Sequence, residues 1–174
     1  MTADELQQLI IEHGKHIYSF CCNLTGSKIE ADDLYQDTIL KAVELCHKLD
    51  GSGNPKSYLI GISVKIWQNH KKKFAVRQKY GQIGNYGENL MNDIEDPNSQ
   101  PEEVVIQKET IQAVQIGVKK LPEKIRTVLY MYYTAEMSVE EIGRILHIPM
   151  GTVKSRLHKG RSLLKLYLED LDYE

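Results

Sequence analysis

The 174-residue chain reads as all-α, in two small helical domains joined by a flexible acidic linker, the second containing a helix-turn-helix. Three observations predict this. Apolar residues recur at helical spacing through most of the chain, with no sustained period-two alternation and no strand-turn-strand signal. One central stretch, "GQIGNYGENLMNDIEDPNSQP", loses that spacing and carries three glycines, two prolines and only acids for charge. Finally, two capped apolar stripes near the C-terminus are joined by the three residues "HIP".

In chain order, Leu6, Leu9, Ile10, Ile17, Phe20 and Leu24 make the first stripe. Gly26 breaks it, and Ser27 with Glu30 has the S-x-x-E spacing of a capping box opening the next helix. That helix carries Ala31, Leu34, Thr38, Ala42, Leu45 and Leu49 on one side, and Asp33, Gln36, Asp37 and Glu44 on the other. "DGSGNP" ends it, and Pro55 suits a first helical position. A third helix holds Tyr58, Leu59, Ile62 and Ile66 and is expected to dissolve into the lysine run Lys71–Lys73. After the linker, Pro101 is expected to reopen helix, with Val104, Ile111, Val114 and Leu121 on one face. "LPEK" begins another helix carrying Ile125, Val128, Leu129 and Tyr132, and Ser138 with Glu141 forms a second capping box. The boundaries that follow are residues 1–80 for the first domain, 81–101 for the linker and 102–174 for the second domain.

The net charge of −2 conceals segregation. Residues 1–50 hold nine acids against four lysines; Lys65–Lys79 holds six bases and no acid; Gln82–Gln107 holds six acids and no base; Ile142–Leu168 holds six bases and no acid. Two basic patches separated by an acidic stretch suit two contacts with one polyanion. No apolar run approaches the ~20 residues of a membrane span, and the N-terminus lacks the pattern of a signal peptide. Cys21, Cys22 and Cys46 are odd in number without C-x-x-C spacing, which reads as buried free thiols in a cytoplasmic protein. His13 and His16 have no partners at zinc spacing, so no metal is expected. Neither a phosphate-binding glycine loop nor a nucleophile–base pair is present, so no enzyme and no cofactor are expected.

"IPMGTVKSRLHKGRS" (Ile148–Ser162) completes the helix-turn-helix. Val139, Ile142, Leu146, Ile148, Val153, Leu157 and Leu164 form its inward set. Gly143 falls where the two helices meet, and Pro149 prevents the first helix from continuing. His147 occupies the corner where a left-handed glycine is usual, a cost on the order of 1 kcal/mol. Outward lie Lys154, Ser155, His158, Lys159 and Ser162, with Arg156 and Arg161 at the flanks. Ser155 and the long bases can reach base edges in a major groove; Thr152 and the flanking arginines can hold phosphates. By itself this motif establishes DNA binding and fits a stand-alone regulator equally well.

Two longer stretches narrow the reading. "LPEKIRTVLYMYYTAEMSVEEIGRILHIPMGTVKSRLHKGRSLLK" resembles the C-terminal, −35-reading region of small bacterial sigma factors. "EADDLYQDTILKAVE" resembles their polymerase-binding helix, close to D-x-x-Q-[ED]-x-[FI]-x-[KR]-[AV]. Their order, the intervening linker and the total length together resemble the extracytoplasmic-function group of the sigma-70 family. The resemblance implies a factor that binds core RNA polymerase and directs it to promoters. It implies that Asp33, Gln36 and Asp37 contact the polymerase, and that "PKSYLIGISVKIWQNHKKK" reads and helps open the −10 element through Lys65, Asn69 and the phosphate track Lys71, Lys72 and Lys73. Gly61 and Lys65 stand where the family usually has arginine and asparagine, so no −10 consensus transfers. Trp67, where the family usually has a small residue, reads as packing rather than base stacking. The acid-only stretch that contains the linker, Gln82–Gln107, is 26 residues and could extend to about 85–90 Å, enough for two DNA elements roughly 70 Å apart, less whatever Pro101 onward takes up as helix. The resemblance further implies an anti-sigma partner, often membrane-tethered. A stand-alone helix-turn-helix regulator that never binds polymerase is the alternative, against which the Asp33/Gln36/Asp37 face and the Lys71–Lys73 run argue.

Overall fold

The computed structural model describes residues 1–48, 54–79 and 104–171. The described residues form seven α-helices: α1 (Ala3–Thr25), α2 (Lys28–Leu45), α3 (Pro55–Lys79), α4 (Val104–Lys120), α5 (Glu123–Leu129), α6 (Val139–Leu146) and α7 (Met150–Leu171). A 3₁₀ turn, Cys46–Lys48, follows α2, and a π-helical turn, Tyr130–Thr134, follows α5. The chain divides into two compact units, Met1–Asn92 with Thr134–Met137, and Asp93–Tyr133 with Ser138–Glu174. The stretch read as the linker, with Pro101 and its expected helix start, lies outside the described residues, as does Leu49.

In the first unit α1, α2 and α3 pack on one another. The core follows the stripes in Leu6, Leu9, Ile17, Phe20 and Leu24 from α1, Ala31, Leu34 and Ala42 from α2, and Leu59 and Ile62 from α3; it adds Ile60 and Val64, which no stripe included, while Ile10, Leu45, Tyr58 and Ile66 are only half-buried. Burying each such aliphatic contributes roughly 1.5–3 kcal/mol. Helix α1 starts with a capping box that the sequence reading missed: Thr2 Oγ1 accepts from Glu5 N, and Glu5 Oε2 accepts from Thr2 N. Gly26 ends it at φ 73°, the left-handed cap expected of glycine. The box anticipated at Ser27 is only half made; Ser27 Oγ accepts from Glu30 N at 3.5 Å. Two hydroxyls in this core are satisfied locally. Thr38 Oγ1 donates to Leu34 O, Ser63 Oγ donates to Leu59 O, and the hydroxyls meet at 3.1 Å across the α2–α3 seam. Cys21 and Cys22 are buried and free, and Cys46 is half-buried. Burial pushes the Cys21 thiol up to about 12, which keeps it protonated and unreactive.

Two expectations are corrected here. Helix α3 does not dissolve at Lys71 but continues to Lys79, with every residue from Gln68 to Lys79 exposed. Lysine and arginine are good helix formers, so like charge alone did not stop it. In α4, Ile111 is 55% exposed rather than inward. The packed side runs instead through Val114, Gly117 and Leu121, because a Cβ at Gly117 would lie 2.7 Å from Tyr167 Cδ1 of α7. The absent side chain admits that ring.

The second unit is built on α7, against which α4, α5 and α6 pack. Its core comprises Leu121, Ile125, Val128, Leu129, Met131, Ile142, Val153 and Leu157. Gly160 brings α7 onto α5; a Cβ there would stand 2.9 Å from Ile125 Cγ2 and Leu129 Cδ1.

Candidate nucleic-acid and partner interfaces

The helix-turn-helix is assembled as its sequence suggests. Ser138 Oγ accepts from Glu141 N at 3.1 Å while Ser138 N donates to Glu141 Oε2 at 2.8 Å, completing the box that opens α6. His147 closes the helix at φ 53°, ψ 46°, its N–H donating to Gly143 O. Ile148 N donates to the same oxygen at 3.0 Å. A Cβ on Gly143 would lie 3.0 Å from Ile148 O, so this glycine makes room for the turn before it makes room for α7. Pro149 O then accepts from Thr152 N and Val153 N, starting α7.

On α7, Val153, Leu157 and Gly160 are buried at helical intervals and fix the rotation of the helix. The opposite side presents Lys154, Ser155, His158, Lys159 and Arg161, all exposed, with Thr152 and Arg156 half-buried at its edges. All seven residues expected to meet DNA stand on one stretch of α7, from Thr152 to Arg161, that contains no acid. A major groove about 12 Å wide admits such a helix.

On α2, Asp33, Gln36, Asp37 and Glu44 are exposed, opposite the buried Ala31, Leu34, Thr38 and Ala42. Asp32, beside them in sequence, does something else: it accepts from Tyr18 Oη at 2.6 Å. That bond holds the Tyr18 phenol well above its ordinary range and ties α1 to α2. The sequence reading missed the apolar members of the exposed face. Ile29 is 76% exposed, Leu40 64% and Val43 53%. At 100° per residue they fall on the side of Asp33 and Gln36. Three exposed branched side chains therefore share one acidic helix face.

Helix α3 carries Lys65, Asn69, Lys71, Lys72 and Lys73 on its exposed half, with Arg77 and Lys79 beyond them. Asn69 and Lys73 border a shallow groove shared with Asp37, Leu40 and Lys41 of α2. Residues assigned to two different partners thus meet across the α2–α3 seam, where His70 Nε2 lies 3.7 Å from Asp37 Oδ2. Trp67 is half-buried, its Nε1 enclosed without a hydrogen-bond partner, and Lys71 Nζ stands 5.7 Å from its ring centroid. Among the described residues no group of three or more His, Cys, Asp or Glu could hold a metal, and no helix is long and apolar enough to cross a membrane.

A helical chain with a recognition helix in one unit and an acidic, partly apolar docking helix beside a basic arm in the other belongs to the class of DNA-binding transcription factors. Comparison with known proteins specifies which. The Sigma-70 region 2 family model matches residues 9–75 and the Sigma-70 region 4 model matches residues 117–164. The chain is 32% identical over 170 residues to the ECF RNA polymerase sigma factor SigW of Bacillus subtilis, covering 97% of this chain and 91% of that protein. It is 28% identical over 170 residues to SigM of the same organism, covering 95% and 94%. Among solved structures, the sigma factor RpoE of Bartonella quintana, crystallised with the anti-sigma factor NepR, matches at TM-score 0.80 and 20% identity over 96% of this chain and 98% of that one. CnrH, solved with the cytosolic domain of CnrY, matches at TM-score 0.64 and 16% identity, covering 97% and 90%. The chain belongs to the ECF sigma factors of the sigma-70 family. It is a promoter-specificity factor that works with core RNA polymerase, and the stand-alone regulator is set aside.

Proposed function

We propose the following division of labour within that activity. Residues 1–80 hold the polymerase and the −10 element, residues 102–174 hold the −35 element, and 81–101 tether them. Asp33, Gln36 and Asp37 dock α2 on the polymerase, with Ile29, Leu40 and Val43 supplying apolar contact. Lys65, Asn69 and Lys71–Lys73 hold the −10 strand, where a positive track can stabilise a displaced single strand. Lys154, Ser155, His158 and Lys159 address bases of the −35 element, and Thr152, Arg156 and Arg161 its phosphates. The chemistry of RNA synthesis is the polymerase's; this chain contributes placement.

The observation that supports this most is the α7 surface: seven residues of DNA-binding type, fixed in rotation by Val153, Leu157 and Gly160, with no acid among them. Because RpoE was solved with the anti-sigma factor NepR, an anti-sigma protein is proposed here too, acting in the cytoplasm with the polymerase. The test is run-off transcription. Core polymerase with this protein yields promoter-specific transcripts; Asp37→Arg abolishes transcription and co-elution with core while the C-terminal unit still binds a −35 duplex. Co-elution retained by Asp37→Arg would remove that side chain from the interface.

A further inference from the structure

The stretch "YMYYT" has no part in the assignments above. It forms the π-helical turn Tyr130–Thr134 at the end of α5. A π turn carries an extra residue and re-aims the side chains on it, and such turns recur at functional sites. Met131 is buried on the core side, Tyr130 and Tyr132 are half-buried, and Tyr133 alone is swung out, 55% exposed. Its ring is braced edge-on by Tyr132, with centroids 5.0 Å apart and planes at 81°. Its hydroxyl oxygen accepts from Arg161 Nη1 at 3.2 Å. Arg161 directly follows Gly160, the residue whose missing side chain lets α7 close on α5. The π turn and the glycine contact therefore converge on one hydrogen bond.

We propose that Tyr133 is a positioning residue for Arg161. A guanidinium has five N–H donors in a rigid fork; Tyr133 takes one, and those left over are oriented toward a phosphate beside the −35 groove. An arginine already held before DNA arrives loses less freedom on binding. The phenol ring, braced edge-on by Tyr132 and not carried on a flexible stem, is a stiff support for this purpose. The inference rests on the −35 role given to Arg161.

The test is a double-mutant cycle in the reconstituted holoenzyme, measuring promoter affinity across a salt series for Tyr133→Phe, Arg161→Ala and the pair. Arg161→Ala weakens binding and flattens the log K against log salt slope by about 0.9, one phosphate contact. Tyr133→Phe keeps the ring and loses the anchor; affinity falls about two- to tenfold with the slope unchanged. In the Arg161→Ala background Tyr133→Phe has no further effect. Wild-type affinity in Tyr133→Phe alone overturns the proposal. So does a full Tyr133→Phe penalty in the double variant, which would mean that the phenol touches DNA itself. If Arg161→Ala changes neither affinity nor slope, the −35 role of Arg161 is what has failed, and the positioning role goes with it.

Discussion

Helices α3 and α7 are both basic, α3 with seven bases and no acid and α7 with five bases and acids only at Glu169 and Asp170 near its end, yet they hold that charge in different ways. In α7 the bases alternate with Val153, Leu157 and Gly160, which are buried against the rest of the unit. Each base therefore has one direction. In α3 the last buried residue is Val64, and every residue from Gln68 to Lys79 is exposed. Its bases beyond Trp67 stand on a run that contains no buried residue to fix their direction. Similar charge thus supports unequal tasks: bases set beside a packed face can be aimed at particular base edges, whereas bases on an exposed run can hold a polyanion without reading it.

The largest effect that tests this contrast is on packing. Leu157→Ala should cost about 2–5 kcal/mol of stability in urea unfolding of the protein and abolish −35 binding. Its counterpart on the arm, Val76→Ala, should stay within about 0.5 kcal/mol; an equal cost would show that α3 is anchored after all. Next comes charge. Replacing Lys71, Lys72 and Lys73 together by alanine should lower the salt slope of holoenzyme–promoter binding by about 2–3 and leave the ranking of promoter sequences intact. A changed ranking would give the arm a reading role. Lys154→Ala should do the reverse, shifting discrimination among −35 sequences by about 1–3 kcal/mol in competition binding. A uniform loss over all sequences would reduce Lys154 to a phosphate contact. The smallest effect concerns what aims α7. His147 stands at φ 53°, and His147→Gly should stabilise the chain by about 1 kcal/mol, read as a raised urea midpoint. A lowered midpoint would mean that the imidazole earns its place by a contact.

The same contrast explains what the sequence made legible. Anchored elements announce themselves, because burial imposes a period: Val153 and Leu157, the α2 stripe, and the Ser138–Glu141 box were all readable. So was His147, since a corner that needs a left-handed residue can be located by counting from Gly143. Elements without burial have no period to read. The extent of α3 past Lys71 was therefore missed, although Arg77 and Lys79 were counted in its basic patch. Ile111 misled for a related reason: an apolar residue at helical spacing looks inward until Gly117 and Tyr167 show which side of α4 is occupied. The π turn was invisible because Tyr130, Tyr132 and Tyr133 satisfy an α-helical pattern as well as a π one. Ile29, Leu40 and Val43 were hidden among acids, where a stripe search passes over them. Asp32 shows the converse limit, since nothing in "DD" tells which aspartate turns back to a tyrosine and which faces out.

Those three aliphatics have a thermal consequence. Docking α2 through Ile29, Leu40 and Val43 would remove apolar surface from water, giving the association a negative heat-capacity change. Apolar association weakens on cooling, whereas contacts made by lysines to phosphate answer to ion concentration instead. On the proposed assignments, temperature would bear on the apolar part of polymerase docking, and salt on how firmly the assembled complex holds its promoter.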